Sequence, residues 1–62
     1  MEKKYFYSCE YWGKGFHKFQ SGVMLIDLDK ANMIDVLRDE LVENDDRSKE
    51  AEIKVLSFNN ID

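Results

Sequence analysis

The sequence contains no proline, one cysteine, one histidine and only three glycines among its 62 residues. One cysteine cannot form a disulfide within the chain, and one cysteine with one histidine cannot complete a four-ligand zinc site. No segment reaches the roughly 20 apolar residues of a membrane-spanning helix, and no signal-peptide core follows Met1-Glu2-Lys3-Lys4. We therefore expect a small cytoplasmic protein with no metal, no cofactor and no membrane partner.

A chain of this length is expected to form one domain, residues 1–62, and to bury only about 60% of its unfolded surface. Contact with a second copy or another protein is then the remaining source of burial. The net charge is −4 and is unevenly placed. Residues 1–26 hold four Lys and two Glu, whereas residues 27–62 hold five Lys or Arg and eleven Asp or Glu. This balance argues against strong general affinity for nucleic acid.

Seven of the eight aromatic residues lie between Tyr5 and Phe19. Aromatic and β-branched residues on both sides of Gly13-Lys14-Gly15 predict a β-hairpin over 5–26 with a three-residue turn. That turn sets the register. The predicted pairs are Cys9 with Phe19, Tyr11 with His17 and Tyr5 with Val23 on one face, and Trp12 with Phe16, Glu10 with Lys18 and Phe6 with Gly22 on the other.

The second half of the chain predicts a helix and a strand. Apolar residues at three- and four-residue spacing, such as Leu37 and Leu41, predict a helix over 30–43 that Asp27 or Asp29 caps. Residues 44–50 contain no apolar side chain and predict an exposed acidic loop, and residues 51–58 predict the last strand.

The element order ββαβ predicts an α+β fold. A right-handed crossover can place the last strand beside the first and antiparallel to it, giving a three-stranded antiparallel sheet of order 2-1-3 with one helix packed on one face. In this arrangement Tyr11 lies beside Ile53 and Cys9 beside Val55 under the helix. On the opposite face the predicted neighbours are Leu56 with Ser8 and Phe58 with Phe6.

One helix covers one face of a sheet, so the other face is expected to expose apolar side chains. The predicted interface residues are Phe6, Leu56 and Phe58 at one end and Trp12 and Phe16 at the other. Such a face is typical of an interface, and the commonest solution is a symmetric homodimer, face on face or edge strand to edge strand. We predict a non-enzymatic accessory or regulatory module that binds itself or another protein, with no small-molecule substrate.

Two alternatives use charged surfaces of the molecule. Single-stranded nucleic acid stacks on aromatic rings beside basic groups, which would use Trp12, Lys14, Phe16, Lys18 and Lys54. An acidic surface can also imitate phosphates and block a basic partner, which would use Asp35, Asp39, Glu40, Glu43, Asp45 and Asp46. A plain solvated helix explains the same acidic residues.

Cys9 and His17 are the candidate nucleophile and base. The predicted register makes them diagonal neighbours on one face. No oxyanion donors and no third group accompany them, so we predict no catalytic residue and a Cys9 that packs as a small core side chain.

As a whole the chain resembles short uncharacterised proteins carried by prophages and plasmids of Gram-negative bacteria. The resemblance rests on the opening Lys4-Tyr5-Phe6-Tyr7-Ser8, the glycine-interrupted aromatic hairpin, the acidic helix and the closing sequence IKVLSFNNID. It implies a bacterial, prophage-borne protein, and it implies no activity, cofactor or site residue.

Overall fold

The computed structural model describes residues 1–61; Asp62, the end of the predicted domain, lies outside them. The strands are β1 (Lys3–Gly13), β2 (Phe16–Ile26) and β3 (Glu52–Asn60), the α-helix α1 is Met33–Asn44, and a 3₁₀ helix spans Asp46–Glu50. β1 lies between β2 and β3 and is antiparallel to both. The predicted α+β fold with strand order 2-1-3 is therefore confirmed.

The turn between β1 and β2 contains two residues, Lys14 and Gly15, so the predicted three-residue turn is wrong. Gly13 is instead the last residue of β1 and pairs with Phe16. A Cβ atom on Gly13 would lie 2.7 Å from Cε1 of Phe16, so the glycine makes room for the ring. Gly15, the second residue of the turn, adopts a φ of +85°, as type II turns require at that position, and side chains disfavour this conformation.

The shorter turn shifts the β1–β2 register by one residue. Such a shift turns every β2 side chain to the face opposite the predicted one. Cys9 consequently pairs with Gln20, and its predicted pairing with Phe19 is wrong. Met24 and Ile26 now point toward the helix and are each 3% exposed.

The β1–β3 register agrees with the prediction only in part. Cys9 pairs with Val55, as predicted, but a β-bulge at the next step of β1 shifts the pairs that follow. Phe58 therefore pairs with Tyr7, and its predicted pairing with Phe6 is wrong. Because a bulge inserts one extra residue into a strand, it moves Phe58 to the face beneath the helix.

Asn32 caps α1, and its side-chain oxygen accepts two backbone N–H groups of the first turn. The predicted caps, Asp27 and Asp29, lie in the turn before the helix, where the Asp27 carboxylate accepts the Asp29 N–H at 3.0 Å. An Asp side chain that bonds to its own turn leaves the cap to another residue. The helix consequently begins at Met33, later than the predicted 30–43.

The predicted acidic loop, 44–50, is mostly a 3₁₀ helix. Ser48 in this segment is fully buried. Nη1 of Arg38 donates to the carbonyl oxygens of Ser48, Lys49 and Ala51 at 2.9, 3.2 and 2.9 Å. One guanidinium thus satisfies three carbonyl groups and ties the segment to α1, which composition alone does not reveal.

The core lies between α1 and one face of the sheet, which we call the covered face. Its residues are each at most 4% exposed: Tyr7, Cys9, Tyr11, Met24, Ile26, Leu37, Leu41 and Ala51. The opposite face is called the uncovered face.

Candidate interaction surface on the uncovered sheet face

The uncovered face carries every second residue of each strand. Since Tyr7 and Tyr11 point toward the core, their β1 neighbours Phe6 and Trp12 point away from it. On β2, Val23 and Leu25 flank the buried Met24 and point away from the core in the same manner.

Four large apolar side chains on this face are exposed, and we call them the uncovered patch. They are Phe6 (39% exposed), Phe19 (67%), Val23 (54%) and Leu25 (59%). Phe6 pairs directly with Val23 across the two strands. The other members also lie on β2, which is an edge strand of the sheet. The patch therefore runs along one edge of the uncovered face.

A ring cluster adjoins the patch near the hairpin turn. The His17 ring lies edge-on to Trp12, with centroids 6.2 Å apart, and to Phe19, with centroids 5.2 Å apart. Nε2 of His17 lies 2.5 Å from Oε2 of Glu10. Glu10 thus holds the imidazole ring between two aromatic side chains on an open surface.

The charged residues of the uncovered face are of both signs. Lys4 pairs with Leu25 on β2, and Glu10 pairs with Lys54 on β3. Glu52 is the partner of Trp12 in the same ladder. Two Lys and two Glu leave no excess of positive charge on this face, so its electrostatic attraction for phosphate groups is weak.

The five predicted interface residues divide between the two faces. Phe6 and Trp12 lie on the uncovered face, as predicted. Leu56 is 48% exposed and lies at the β-bulge of edge strand β3. Phe16 and Phe58 pack against the core, so the predicted position of these two on the uncovered face is wrong.

The rings of Phe16 and Phe58 close the ends of the core. Phe58 stacks on Tyr5, with ring centroids 4.6 Å apart and planes inclined by 9°. Phe16 lies edge-on to Tyr11 at 6.2 Å, and Cζ of Arg47 lies 4.6 Å from the Phe16 centroid. Stacked and cation–π contacts of this kind stabilise the fold and leave less ring surface for a partner.

The predicted nucleic-acid residues are not gathered on one surface. Trp12 and Lys54 lie on the uncovered face, whereas Phe16 lies on the covered face and Lys14 lies in the turn. Nζ of Lys18 lies 3.5 Å from Oδ2 of Asp45, which lies beside the covered face. These five residues therefore do not form one platform of rings flanked by basic groups.

The predicted acidic surface loses one of its members to an internal contact. Asp45 accepts hydrogen bonds from the Arg47 side chain at 3.0 and 2.8 Å and from the Arg47 N–H at 3.0 Å. These bonds hold the pKa of Asp45 well below its ordinary value. Asp35, Asp39 and Glu43 of the predicted set are exposed on α1, where they face solvent.

Cys9 and His17 lie on opposite faces of the sheet. Cys9 is fully buried in the core, and burial raises the pKa of its thiol. The His17 side chain is 52% exposed on the uncovered face, and the residue pairs with Trp12, so the predicted pair Tyr11–His17 is wrong. A sheet separates the thiol from the imidazole, and the two groups cannot act together as nucleophile and base.

The surface depressions beside the sheet include one of about 340 Å³, lined by Leu25, Lys30 and Val36 among others. Another, of about 380 Å³, is lined by Phe16 and Arg47 among others. Within residues 1–61, no three His, Cys, Asp or Glu side chains are placed to hold a metal ion. In the same part of the chain, α1 is too short and too polar to cross a membrane.

Sequence reasoning missed three residues of the uncovered patch, namely Phe19, Val23 and Leu25. The predicted three-residue turn assigned them to the covered face. Residues 23–26 are all apolar, so alternation could not decide which of them face the helix. The available signal was the turn itself, because Lys14-Gly15 also fits a two-residue hairpin.

No protein family, no curated protein and no solved structure was found to match this chain. The resemblance to prophage-borne proteins, the cytoplasmic location and the absence of enzymatic activity therefore stay predictions of the sequence.

Proposed function

We propose that this protein is a non-enzymatic interaction module, accessory or regulatory in role, that forms a homodimer through its uncovered sheet face. The observation that carries this proposal is the uncovered patch. Phe19, Val23 and Leu25 are each more than half exposed and line up on one strand. Fully burying one such side chain stabilises a protein by about 1.5–3 kcal/mol.

The size of the domain gives the patch its energetic importance. Its helix contributes only two fully buried side chains, Leu37 and Leu41, to the core. Small domains have narrow stability margins, so burial of the patch would add a substantial fraction of the total. A second copy presents the same patch to its partner. Because the uncovered face carries equal numbers of Lys and Glu, two such faces do not repel each other through a net charge.

The alternatives have weaker support from the geometry. A nucleic-acid platform needs rings and basic groups together, whereas Lys18 and Phe16 lie on the covered side, away from Trp12. An acidic mimic needs free carboxylates in a row, and Asp45 is engaged by Arg47. The uncovered patch, in contrast, has its four exposed apolar side chains on one face of the sheet.

The proposal is tested by sedimentation velocity of the wild type between about 1 µM and 1 mM, where weak homodimers dissociate and form. We expect a dimer whose dissociation constant rises about tenfold or more in Val23→Asp, since Val23 pairs with Phe6 and a carboxylate there would be buried without a partner. Leu28→Asp is the matched control, because Leu28 is 48% exposed but lies in the turn beyond β2.

Leu28→Asp should leave the dimer unchanged, and both variants should keep the circular dichroism of the folded chain. A wild type that stays monomeric at the highest concentration would contradict the proposal. Equal weakening by both substitutions would also contradict it, because the effect would then follow charge and not position.

A further inference from the structure

The two edge strands of the sheet differ in how they are protected from pairing. β3 carries a β-bulge and, near its start, the charged residues Glu52 and Lys54. Bulges and charges are devices by which edge strands avoid pairing with other chains. β2 pairs with β1 through eleven consecutive residues without a register shift, and it contains no proline. The residues of β2 whose side chains could disfavour pairing with another strand are Lys18 and His17, both near its N-terminal end.

β2 is also available for pairing. β1 is the one strand that pairs with it among residues 1–61. Because hydrogen-bonded and non-hydrogen-bonded pairs alternate in an antiparallel ladder, every second residue of β2 directs its N–H and C=O away from β1. A long regular edge of this kind is a template for another strand.

We propose that two copies of this chain join through antiparallel pairing of their β2 edges, so that two three-stranded sheets form one sheet of six strands. This inference rests on the proposed homodimer and places its joint at the β2 edge of the uncovered face, so that the two uncovered patches lie side by side and not face on face. Full overlap of Phe16–Ile26 with the same strand of the second copy places the twofold axis at the middle residue, Ser21. The axis is perpendicular to the sheet, so the uncovered faces of both copies lie on the same side.

The side chains of β2 are self-complementary in this register. On the uncovered face Ser21 meets Ser21 of the second copy, Phe19 meets Val23, and His17 meets Leu25. An aromatic ring opposite a β-branched side chain is a favourable cross-strand pair. The register brings the two uncovered patches side by side, with the Ser21 pair between their two apolar halves.

The covered side of the same joint contains no opposed like charges. Lys18 lies opposite Met24 of the second copy, and Phe16 lies opposite Ile26. Gln20 lies opposite Gly22, which has no side chain to clash. A second copy therefore fits this edge over its whole length, whereas an unrelated extended segment would have to match both faces by its own sequence.

The test is disulfide trapping with single engineered cysteines. Ser21→Cys places two thiols on the twofold axis, with Cα atoms about 5.5 Å apart, within disulfide range. Ser8 on β1 pairs with Ser21 and lies on the same face of the sheet. In the proposed dimer the two copies of Ser8→Cys would be separated by three strand spacings, roughly 14 Å. Asn59→Cys on β3 is an exposed control at the far edge. The wild type, whose Cys9 is fully buried, gives the background.

We expect Ser21→Cys to form a covalent dimer at least about tenfold faster than either control, because the dimer raises the effective concentration of one thiol near the other. Each rate is first divided by the rate at which the same thiol reacts with a small reagent. Faster trapping of Ser8→Cys would overturn the edge joint in favour of face-on-face packing and leave the proposed function standing. A monomeric wild type would overturn both proposals. Trapping of Ser21→Cys to other proteins of a lysate in place of a second copy would overturn the edge joint as a homodimer.

Discussion

The two faces of the central strand β1 differ in exposure although both carry aromatic residues. Tyr7 and Tyr11 on the covered face are each 3% exposed, whereas Phe6 on the uncovered face is 39% exposed. Because side chains alternate along a strand, a run such as Tyr5-Phe6-Tyr7 divides between core and surface. The difference teaches that aromatic density does not by itself mark a binding surface. The position of α1 decides which rings are core.

The same contrast is sharper on β2. The four consecutive apolar residues Val23, Met24, Leu25 and Ile26 are 54%, 3%, 59% and 3% exposed. Their hydrophobicity is similar, and they differ in exposure because alternate residues of a strand point to opposite faces of the sheet. Half of this apolar segment stabilises the fold, and the other half, Val23 and Leu25, forms half of the uncovered patch.

The largest effect is expected from a substitution in the core beneath the covered face. Leu37→Ala should lower the free energy of unfolding by about 3 kcal/mol, because the side chain is fully buried and its removal leaves a cavity. Leu25→Ala should lower it by at most about 0.5 kcal/mol when the protein is dilute, as for other exposed positions. Urea denaturation followed by circular dichroism measures both.

The pair also separates folding from association. The effect of Leu25→Ala should grow with protein concentration, since the wild type gains stability from dimer formation and the variant gains less. The effect of Leu37→Ala should persist at every concentration. Equal losses of stability for the two variants in dilute solution would show that Leu25 stabilises the monomer as much as Leu37 does, which would contradict the difference between the two faces.

A smaller effect is expected at the turn that assigns side chains to faces. Gly15 has a φ of +85° and no atom within 4 Å of an added Cβ, so Gly15→Ala should cost about 1 kcal/mol through backbone strain alone. Lys14→Ala in the same turn is the control and should be nearly neutral. Thermal unfolding monitored by circular dichroism compares them, and a neutral Gly15→Ala would argue against the two-residue turn.

The smallest effect concerns pH and the covered side of the hairpin. Hydrogen bonds from Arg47 lower the pKa of Asp45 below its ordinary value of 3.8. A group whose pKa is lowered by folding stabilises the protein above its unfolded pKa, and this contribution is lost as the pH falls through the folded pKa. Asp45→Asn should therefore reduce stability near neutral pH, and the difference from wild type should shrink below about pH 4.

Urea midpoints at about pH 7 and about pH 3 measure this difference. Asp46→Asn is the control, because Asp46 is the neighbouring exposed acid. A difference between wild type and Asp45→Asn that stays constant across this pH range would mean that the carboxylate does not titrate as a hydrogen-bonded group.

Much of the fold could be predicted from the sequence, and the candidate site could be predicted only in part. Helical spacing identified Leu37 and Leu41 as core, and the positions of Phe6 and Trp12 followed from the alternation of β1 around its buried residues. Phe58 and Phe16 could not be placed correctly, because each depends on a single step of register that no local pattern fixes. The cap at Asn32 was missed since Asp27 is an equally good capping residue type.

The sequence by itself determined the three strands, the long helix and their order along the chain, because hydrophobic periodicity is a property of the chain. It also favoured the strand order 2-1-3, which a right-handed crossover permits. The tertiary structure decided the registers. Gly13 extends β1 because the Phe16 ring packs over it, and the bulge in β3 lets Phe58 stack on Tyr5. Both choices depend on contacts between residues distant along the chain or across a turn. They moved Phe19, Val23 and Leu25 to the surface, and so they decided where this protein has apolar surface to offer a partner.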